Sequence, residues 1–141
     1  MTLLEFKHDG DPVKNRELFG LMGEYASSTA VREKLGGFIS SEPGRLWFIM
    51  TEGERNGVMA FGSVRIRRAS AHILHLYALE EGGDIPLLER CIEAAREAGV
   101  ERLITTDYWT RRDMYLQYGF RAVRKLGRFL RFEKEFEHGR E

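Results

Sequence analysis

The sequence predicts a single domain of the α/β (α+β) class over residues 1–141. Three observations support this prediction. A length of 141 residues fits one domain and is enough to bury a sizeable core. Segments with helical periodicity are interleaved with apolar, strand-like runs along the whole chain. No repeat, low-complexity tract or Pro-rich linker divides the sequence, so we expect no internal domain boundary.

The first third of the chain predicts one strand and two helices. The strand is expected at residues 3–8, before a turn at residues 9–12. A helix is expected over residues 13–27, because apolar side chains recur there at helical spacing: Leu18, Leu21, Met22 and Tyr25. A second, short helix is expected at residues 28–35, where a Gly-Gly pair ends it.

The middle of the chain predicts three antiparallel strands. The first is the apolar run at residues 46–50, and the next two are residues 58–67 and 70–79. Asn56 and Gly57 stand between the first two strands, and this dipeptide is a strong signal for a hairpin turn.

The clearest helix is expected at residues 84–98. Asp84 is placed to cap its N-terminus, and Gly99 follows its end. Its apolar side chains share one face, and they are Leu87, Leu88, Cys91, Ile92 and Ala95. The chain then predicts a strand, a short helix capped by Thr110 and two more strands, at residues 102–106, 111–118, 120–125 and 128–136.

Composition excludes several classes of function. Cys91 is the only cysteine, so the chain can form no internal disulfide, no Cys-based zinc site and no CxxC redox pair. We predict no metal site. No apolar run approaches the roughly 18 residues that a membrane-spanning helix needs, and residues 1–8 do not resemble a signal peptide. We therefore expect a cytoplasmic protein that does not enter a membrane.

The formal net charge is zero, but the charges are segregated along the chain. Residues 80–107 hold eight Asp and Glu against three Arg, whereas residues 111–134 hold eight Lys and Arg against two acidic residues. Solvated helix and strand faces would explain this pattern. It also fits a basic surface in the C-terminal third that meets an anionic partner, either a phosphate of a cofactor or nucleic acid.

Two short motifs and the order of elements resemble one family. Residues 115–120 read Tyr-Leu-Gln-Tyr-Gly-Phe and are similar to the Tyr-x-x-x-Gly-Phe of the GNAT N-acyltransferases. Residues 74–79 read Leu-His-Leu-Tyr-Ala-Leu and are similar to the strand that precedes that family's cofactor helix. The resemblance covers nearly the whole chain. It implies a central mixed, mostly antiparallel sheet of six to seven strands flanked by about four helices, and transfer of an acyl group from acyl-CoA to an amine.

The resemblance also implies a cofactor site for acetyl-CoA or another acyl-CoA. In the family, the pantetheine arm pairs with the backbone of the fourth strand, which here comprises Leu76, Tyr77, Ala78 and Leu79. A glycine-rich loop with an arginine wraps the pyrophosphate, and the matching positions here are Gly82, Gly83 and Asp84. The loop at residues 80–84 departs from that pattern, because it is shorter, contains no basic residue and carries three carboxylates.

Two residues are candidates for proton transfer. Tyr115 resembles the family tyrosine that protonates the leaving thiolate. His75 is the first candidate for the base, since a neutral imidazole can take a proton from the amine, and Glu52 is a weaker option. His72 lies three residues before His75 on the same predicted strand, so we expect the two rings on opposite faces.

Aromatic and basic residues are mixed directly after the strand at residues 102–106. We expect four of them to contact the acceptor: Tyr108, Trp109, Arg111 and Arg112. Phe38 is a further aromatic candidate for the same pocket. A small-molecule or peptide amine is the leading acceptor, although a modified nucleotide or nucleic-acid base also fits the mixture. A homodimer, or a GNAT-fold binding module that has lost its cofactor loop and holds an anionic partner, stays open.

Overall fold

Seven strands form one mixed sheet in the described part of the chain. The structure is a computed structural model that describes residues 2–28, 31, 33, 35, 39–53 and 57–137. The strands are β1 (Thr2–Lys7), β2 (Leu46–Thr51), β3 (Val58–Ile66), β4 (Ser70–Ala78), β5 (Arg102–Tyr108), β6 (Arg121–Leu126) and β7 (Phe129–Glu135). Their order across the sheet is β1-β2-β3-β4-β5-β7-β6. Only β4 and β5 run parallel, and every other neighbouring pair is antiparallel. The predicted mixed, mostly antiparallel sheet is confirmed.

Three α-helices have defined bounds: α1 (Arg16–Ser27), α2 (Ile85–Glu97) and α3 (Arg112–Gln117). The described residues Val31, Glu33 and Leu35 are also helical. The 3-10 turns Pro12–Asn15 and Trp109–Arg111 lead into α1 and α3. The predicted helix at residues 28–35 lies only in part within the described residues. Phe38 and Asn56, the latter in the predicted hairpin, lie outside them. Within the described ranges no helix is long and apolar enough to cross a membrane.

Each face of the sheet carries its own apolar core, packed against different helices. On one face, α2 and α3 pack against the sheet through a core that includes Leu88, Tyr115 and Phe132. On the other face, Leu18 of α1 packs near Phe61 of β3. The predicted apolar face of α2 is confirmed as buried. Its Cys91 is fully enclosed, and burial raises the pKa of this thiol to about 12.

A β-bulge interrupts the pairing of β3 and β4. Ser63 pairs with Leu74 and Phe61 with Tyr77, so two residues of β4 oppose the single residue between Phe61 and Ser63. One of these two is His75, which has a φ of 60°. The extra residue shifts the alternation of side chains, and the His75 ring stacks on Trp47. The expectation that His72 and His75 lie on opposite faces is therefore wrong.

Strands β4 and β5 separate along their length. Their pairing begins at Ser70 and Arg102 and ends at Ile73 and Thr105. Beyond this point the carboxyl-terminal half of β4 pairs only with β3 on its other side. The divergence opens a cleft at the ends of the two parallel strands, next to the start of α2, and it is this cleft that positions the candidate site.

Candidate functional site

The cleft between the separated strands is a cavity of about 510 Å³. Residues from β4, from the loop before α2 and from the start of α3 line it, among them Leu76, Tyr77, Ala78, Gly82, Asp84 and Arg111. The structure therefore brings together most of the residues that the sequence assigned to the cofactor. Leu79 is half exposed and is not among the lining residues of the described part.

The guanidinium of Arg111 spans this cleft. Its Nη1 donates to the carbonyl oxygen of Leu76 on β4 at 3.0 Å and lies 3.0 Å from Asp107 Oδ2 on β5. Its Nη2 forms an ion pair with Asp84 at the start of α2. Burial alone would lower the pKa of Arg111, but Asp107, Tyr115 and Asp84 together outweigh that effect, so the pKa is raised. One cation thus joins three elements inside the cavity.

Asp107 connects Arg111 to the core. Its Oδ2 accepts the hydroxyl of Tyr115 at 2.6 Å, and its Oδ1 accepts the backbone N–H of Tyr108 at 2.7 Å. Burial raises the pKa of Asp107, although Arg111 opposes this shift. Asp107 was not among the site residues predicted from the sequence. Its spacing of four residues before Arg111, which suits an ion pair, is the signal that could have revealed it.

Tyr115 is fully buried, with 0% of its surface exposed. Its ring stacks on Phe132 with centroids 4.6 Å apart. Burial first, and then the Asp107 charge, raise the pKa of its hydroxyl well above the ordinary value. A hydroxyl that is enclosed and donates to a carboxylate is poorly placed to meet a thiolate. The role of Tyr115 as an acid stays a prediction. The geometry favours a different role, in which Tyr115 holds Asp107 in position.

Some backbone N–H groups of the loop before α2 form hydrogen bonds within the loop. The N–H of Gly83 donates to Glu80 O at 3.1 Å, and the N–H of Ile85 donates to Gly82 O at 3.2 Å. The N–H of Gly83 is therefore used within the loop, and the assignment of Gly83 to the cofactor site stays a prediction. The N–H groups of Gly82 and Asp84 have no partner among the described residues.

Asp84 occupies the predicted N-cap position of α2. Its side chain makes no capping hydrogen bond to α2, because it is held by Arg111. The ion pair explains the difference, since a guanidinium competes effectively with a backbone N–H for a carboxylate. Thr110 likewise provides no side-chain cap, because a 3-10 turn leads into α3.

His75 lies on the α1 face rather than along the cleft. Its Nε2 accepts the N–H of Ser40 at 3.3 Å, and its ring stacks on Trp47 with centroids 6.0 Å apart. Burial, followed by the charge of Arg45, lowers the pKa of His75 to about 4. The imidazole is thus neutral near pH 7 but is a weak proton acceptor, and its role as the base stays a prediction.

The four residues expected at the acceptor diverge in the structure. Tyr108 stacks on Phe129 and donates its hydroxyl to Glu33 O at 2.8 Å. Arg111 enters the cleft, whereas its neighbour Arg112 is exposed. Arg112 lines a second cavity of about 460 Å³, which it shares with Trp109, Lys125, Gly127, Arg128 and Leu130. Trp109 is 60% exposed there.

Solved acyltransferase structures share this architecture. An acyl-CoA N-acyltransferase from Pseudomonas aeruginosa has a TM-score of 0.67 at 15% identity, over 94% of this chain and 99% of that one. The PaiA N-acetyltransferase from Thermoplasma acidophilum, in complex with coenzyme A, has a TM-score of 0.57 at 15% identity, over 96% and 100%. A GNAT-family acetyltransferase from Staphylococcus aureus has a TM-score of 0.61 at 9% identity, over 96% and 100%.

Comparisons of the sequence itself find no such relative. No family model matches it, and neither does any curated protein sequence. Identities this low establish the fold and leave the activity open. The sheet order, the separation of β4 from β5 and these likenesses together show that the chain has the GNAT acyltransferase fold.

Proposed function

We propose that this protein is an acyl-CoA-dependent N-acyltransferase that transfers an acyl group, in the simplest case acetyl, to an amine. The observation that carries the proposal is the cavity at the point where β4 and β5 separate, beside the start of α2. Open α/β sheets bind ligands at such points. The PaiA enzyme, which has a similar fold, was solved in complex with coenzyme A.

The residues of the cleft fit such a cofactor. Two N–H groups, those of Gly82 and Asp84, lie at the N-terminus of α2, where a diphosphate is favoured. Arg111 is the cation among the described residues that line the cleft, and its ion pair offsets the charge of Asp84, one of the three loop carboxylates. The other two, Glu80 and Glu81, are exposed, so solvent and salt weaken their repulsion of an anion.

The residues of the chain would then bind and orient the acyl-CoA and the amine. Acyl-CoA would supply the thioester that an amine attacks directly. Leu76 and Ala78 line the cleft on the β4 side, where the arm of the cofactor would lie. Tyr115 holds Asp107, and Asp107 holds Arg111 in the cavity, so the phenol would act through the position of the guanidinium.

Calorimetric titration with acetyl-CoA tests the proposal. We expect binding in the micromolar to sub-millimolar range that is typical of such cofactors. Met114→Trp adds bulk to a residue that lines the cleft and should weaken binding at least about tenfold. Leu116→Trp, on the exposed side of α3, is the matched control and should leave affinity unchanged. No binding up to about 1 mM, the upper end of ordinary KM values, would refute the proposal.

A second candidate function rests on the cavity around Trp109. Three exposed cations line it, and none forms an ion pair with a described residue: Arg112, Lys125 and Arg128. Free cations beside an exposed indole suit an anionic partner with planar rings, such as single-stranded nucleic acid. Under this alternative the chain is a binding module, and titration with acetyl-CoA would give no heat.

A further inference from the structure

A row of polar side chains crosses the face of the sheet that α1 covers only in part. Arg65 on β3 pairs with His72 on β4, His72 with Ile104 on β5, and Ile104 with Glu133 on β7. Residues paired across strands carry their side chains on the same face. Arg131, two residues before Glu133 on β7, shares that face. We call Arg65, His72, Arg131 and Glu133 the arginine cluster.

Positive charge exceeds negative charge in the cluster. Glu133 is shared, because Arg131 Nε lies 3.7 Å from one of its oxygens and Arg102 Nη1 lies 3.6 Å from the other. Arg65 forms no ion pair with any described residue. Burial first, and then the charges of Arg65 and Arg131, lower the pKa of His72, so both guanidinium groups act on the same imidazole. Arg67 adds to this effect and Glu133 opposes it.

Three nitrogens of the cluster are buried and lack a hydrogen-bond partner among the described residues. They are Arg65 Nε, His72 Nδ1 and Arg131 Nε. Buried polar groups in proteins are nearly always hydrogen-bonded, so each exception calls for a partner such as a water or an ion. Three such groups on one face of the sheet, in an excess of positive charge, suit a group that accepts several hydrogen bonds and carries negative charge.

The cluster lies beside the mouth of the cleft. Pairing of β4 and β5 ends at Ile73 and Thr105, one residue beyond His72 and Ile104. Arg131 pairs with Thr106, the first residue of β5 beyond the last pair. With a rise of about 3.3 Å per residue, the cluster is within about 10 Å of the opening between the strands. A small molecule that reacts at the cleft could therefore reach the cluster with its other end.

We propose that the arginine cluster binds a carboxylate or phosphate of the acceptor, so that the substrate is an amine that carries an anionic group. The inference rests on the proposed acyltransferase function for the identity of the ligand. Arg65 and Arg131 would donate to the oxyanion from opposite sides of His72, with the fork geometry that guanidinium groups offer to planar anions. Glu133 would orient Arg131 and disfavour acceptors without a negative charge at that end.

Binding to the cluster can be measured without any turnover. Inorganic phosphate is titrated into the protein at constant ionic strength, with chloride as the balancing anion, and the His72 ring is followed by NMR. We expect the His72 signals to shift and the pKa of His72 to rise, because a bound anion favours the imidazolium. The signals are assigned with His72→Gln. A His72 ring that does not respond to phosphate overturns the proposal.

Variants separate this site from general surface charge. Arg65→Gln and Arg131→Gln should each weaken phosphate binding by about tenfold or more, the loss expected for one charge-assisted contact. Arg65→Lys keeps the charge and guards against a failure to fold, and it should retain intermediate affinity. Arg121→Gln is the control, because this exposed arginine pairs with Glu135 away from His72. An equal loss in Arg121→Gln contradicts a specific site.

A matched pair of acceptors tests the substrate class. With acetyl-CoA as donor, an amino acid is compared with its amide, which lacks the carboxylate and has a more acidic ammonium, so the preference is compared between wild type and variant. We expect the wild type to favour the amino acid by about tenfold in kcat/KM and Arg131→Gln to lose this preference. Equal rates with the two acceptors refute the inference and leave the proposed function intact. Failure to bind acetyl-CoA refutes the proposed function and, with it, the acceptor role of the cluster.

Discussion

The hydroxyl of Tyr115 donates to Asp107 Oδ2 over 2.6 Å, from within a fully buried side chain. The same oxygen lies 3.0 Å from Arg111 Nη1. A core tyrosine is therefore connected, through one carboxylate, to the only described cation that lines the large cleft. Through this connection, a buried hydroxyl influences the position of a guanidinium that it does not touch.

Tyr115→Phe should separate the two roles open to this residue. We expect a loss of about 2 kcal/mol of stability, because a hydrogen bond to a buried carboxylate disappears. The pKa of Asp107 should rise further, since the phenol hydrogen bond lowers it. If Tyr115 positions Asp107, acetyl-CoA affinity falls in calorimetry. A large fall in kcat at unchanged affinity would return Tyr115 to the role of general acid.

Arg111→Gln should destabilise the fold more than Arg112→Gln. Without Arg111, Asp84 and Asp107 are left in the cleft with no cation, and we expect a cost of about 2–3 kcal/mol. Arg112 is exposed, so its replacement should change stability by less than about 0.5 kcal/mol. Urea denaturation at pH 7 measures both. Equal stability of the two variants would mean that the ion pairs in the cleft contribute nothing.

Stability should fall as the pH is lowered from about 6.5 towards 4, in part because of His75. The pKa of His75 is about 4 in the folded protein against a usual 6.5, so the unfolded chain binds a proton that the folded one excludes. This contribution is present above pH 6.5 and is lost as the pH falls through 4. His75→Asn should flatten the dependence, and Asn tolerates the positive φ at this position. Parallel curves for variant and wild type would contradict the assignment.

Glu81→Arg should tighten acetyl-CoA binding. Glu81 lines the cleft next to Gly82, so the change replaces a negative charge with a positive one near the expected diphosphate. We expect roughly a tenfold gain at low salt, which shrinks as salt is added. Glu89→Arg, on the exposed side of α2, makes the same charge change away from the cleft. An equal gain in both variants would indicate a general electrostatic effect, and no gain in Glu81→Arg would place the diphosphate elsewhere.

The cavity around Trp109 should determine any affinity for nucleic acid. If single-stranded DNA binds, the logarithm of affinity must fall linearly with the logarithm of salt concentration. Arg112→Ala and Arg128→Ala should each reduce that slope by about one unit for every phosphate that the variant no longer neutralises. Fluorescence anisotropy from about 50 to 200 mM salt measures the slope. Arg111 is not a suitable target, because Asp84 and Asp107 hold it in the cleft. No binding at the lowest salt would exclude this partner.

Local patterns predicted the elements well. Strand β3 was expected at residues 58–67 and is Val58–Ile66, and α2 was expected at residues 84–98 and is Ile85–Glu97. These elements have clear periodicity and clear ends, so the sequence determines them within one or two residues. The contents of the cleft were also predicted in large part, because backbone order alone brings the end of β4 to the start of α2.

Local sequence patterns could not predict contacts between residues that are far apart in the chain. The pairing of Asp84 with Arg111 joins residues that are 27 positions apart, so its effect on the expected cap could not be seen in the sequence. The bulge at His75 is equally hidden, because one extra residue in a strand leaves the apolar pattern almost unchanged. The excess of positive charge around His72 arises only when β3, β4, β5 and β7 assemble into one sheet.

The enclosure of Cys91 in α2 has a practical consequence for these experiments. A thiol with no exposed surface and a pKa of about 12 is almost entirely protonated at neutral pH and hidden from reagents. As the chain contains no other cysteine, the folded protein should not react with thiol-reactive dyes. Under the proposed function, a signal in a dye assay would then report coenzyme thiol set free by turnover. A single cysteine introduced on the surface would be labelled alone.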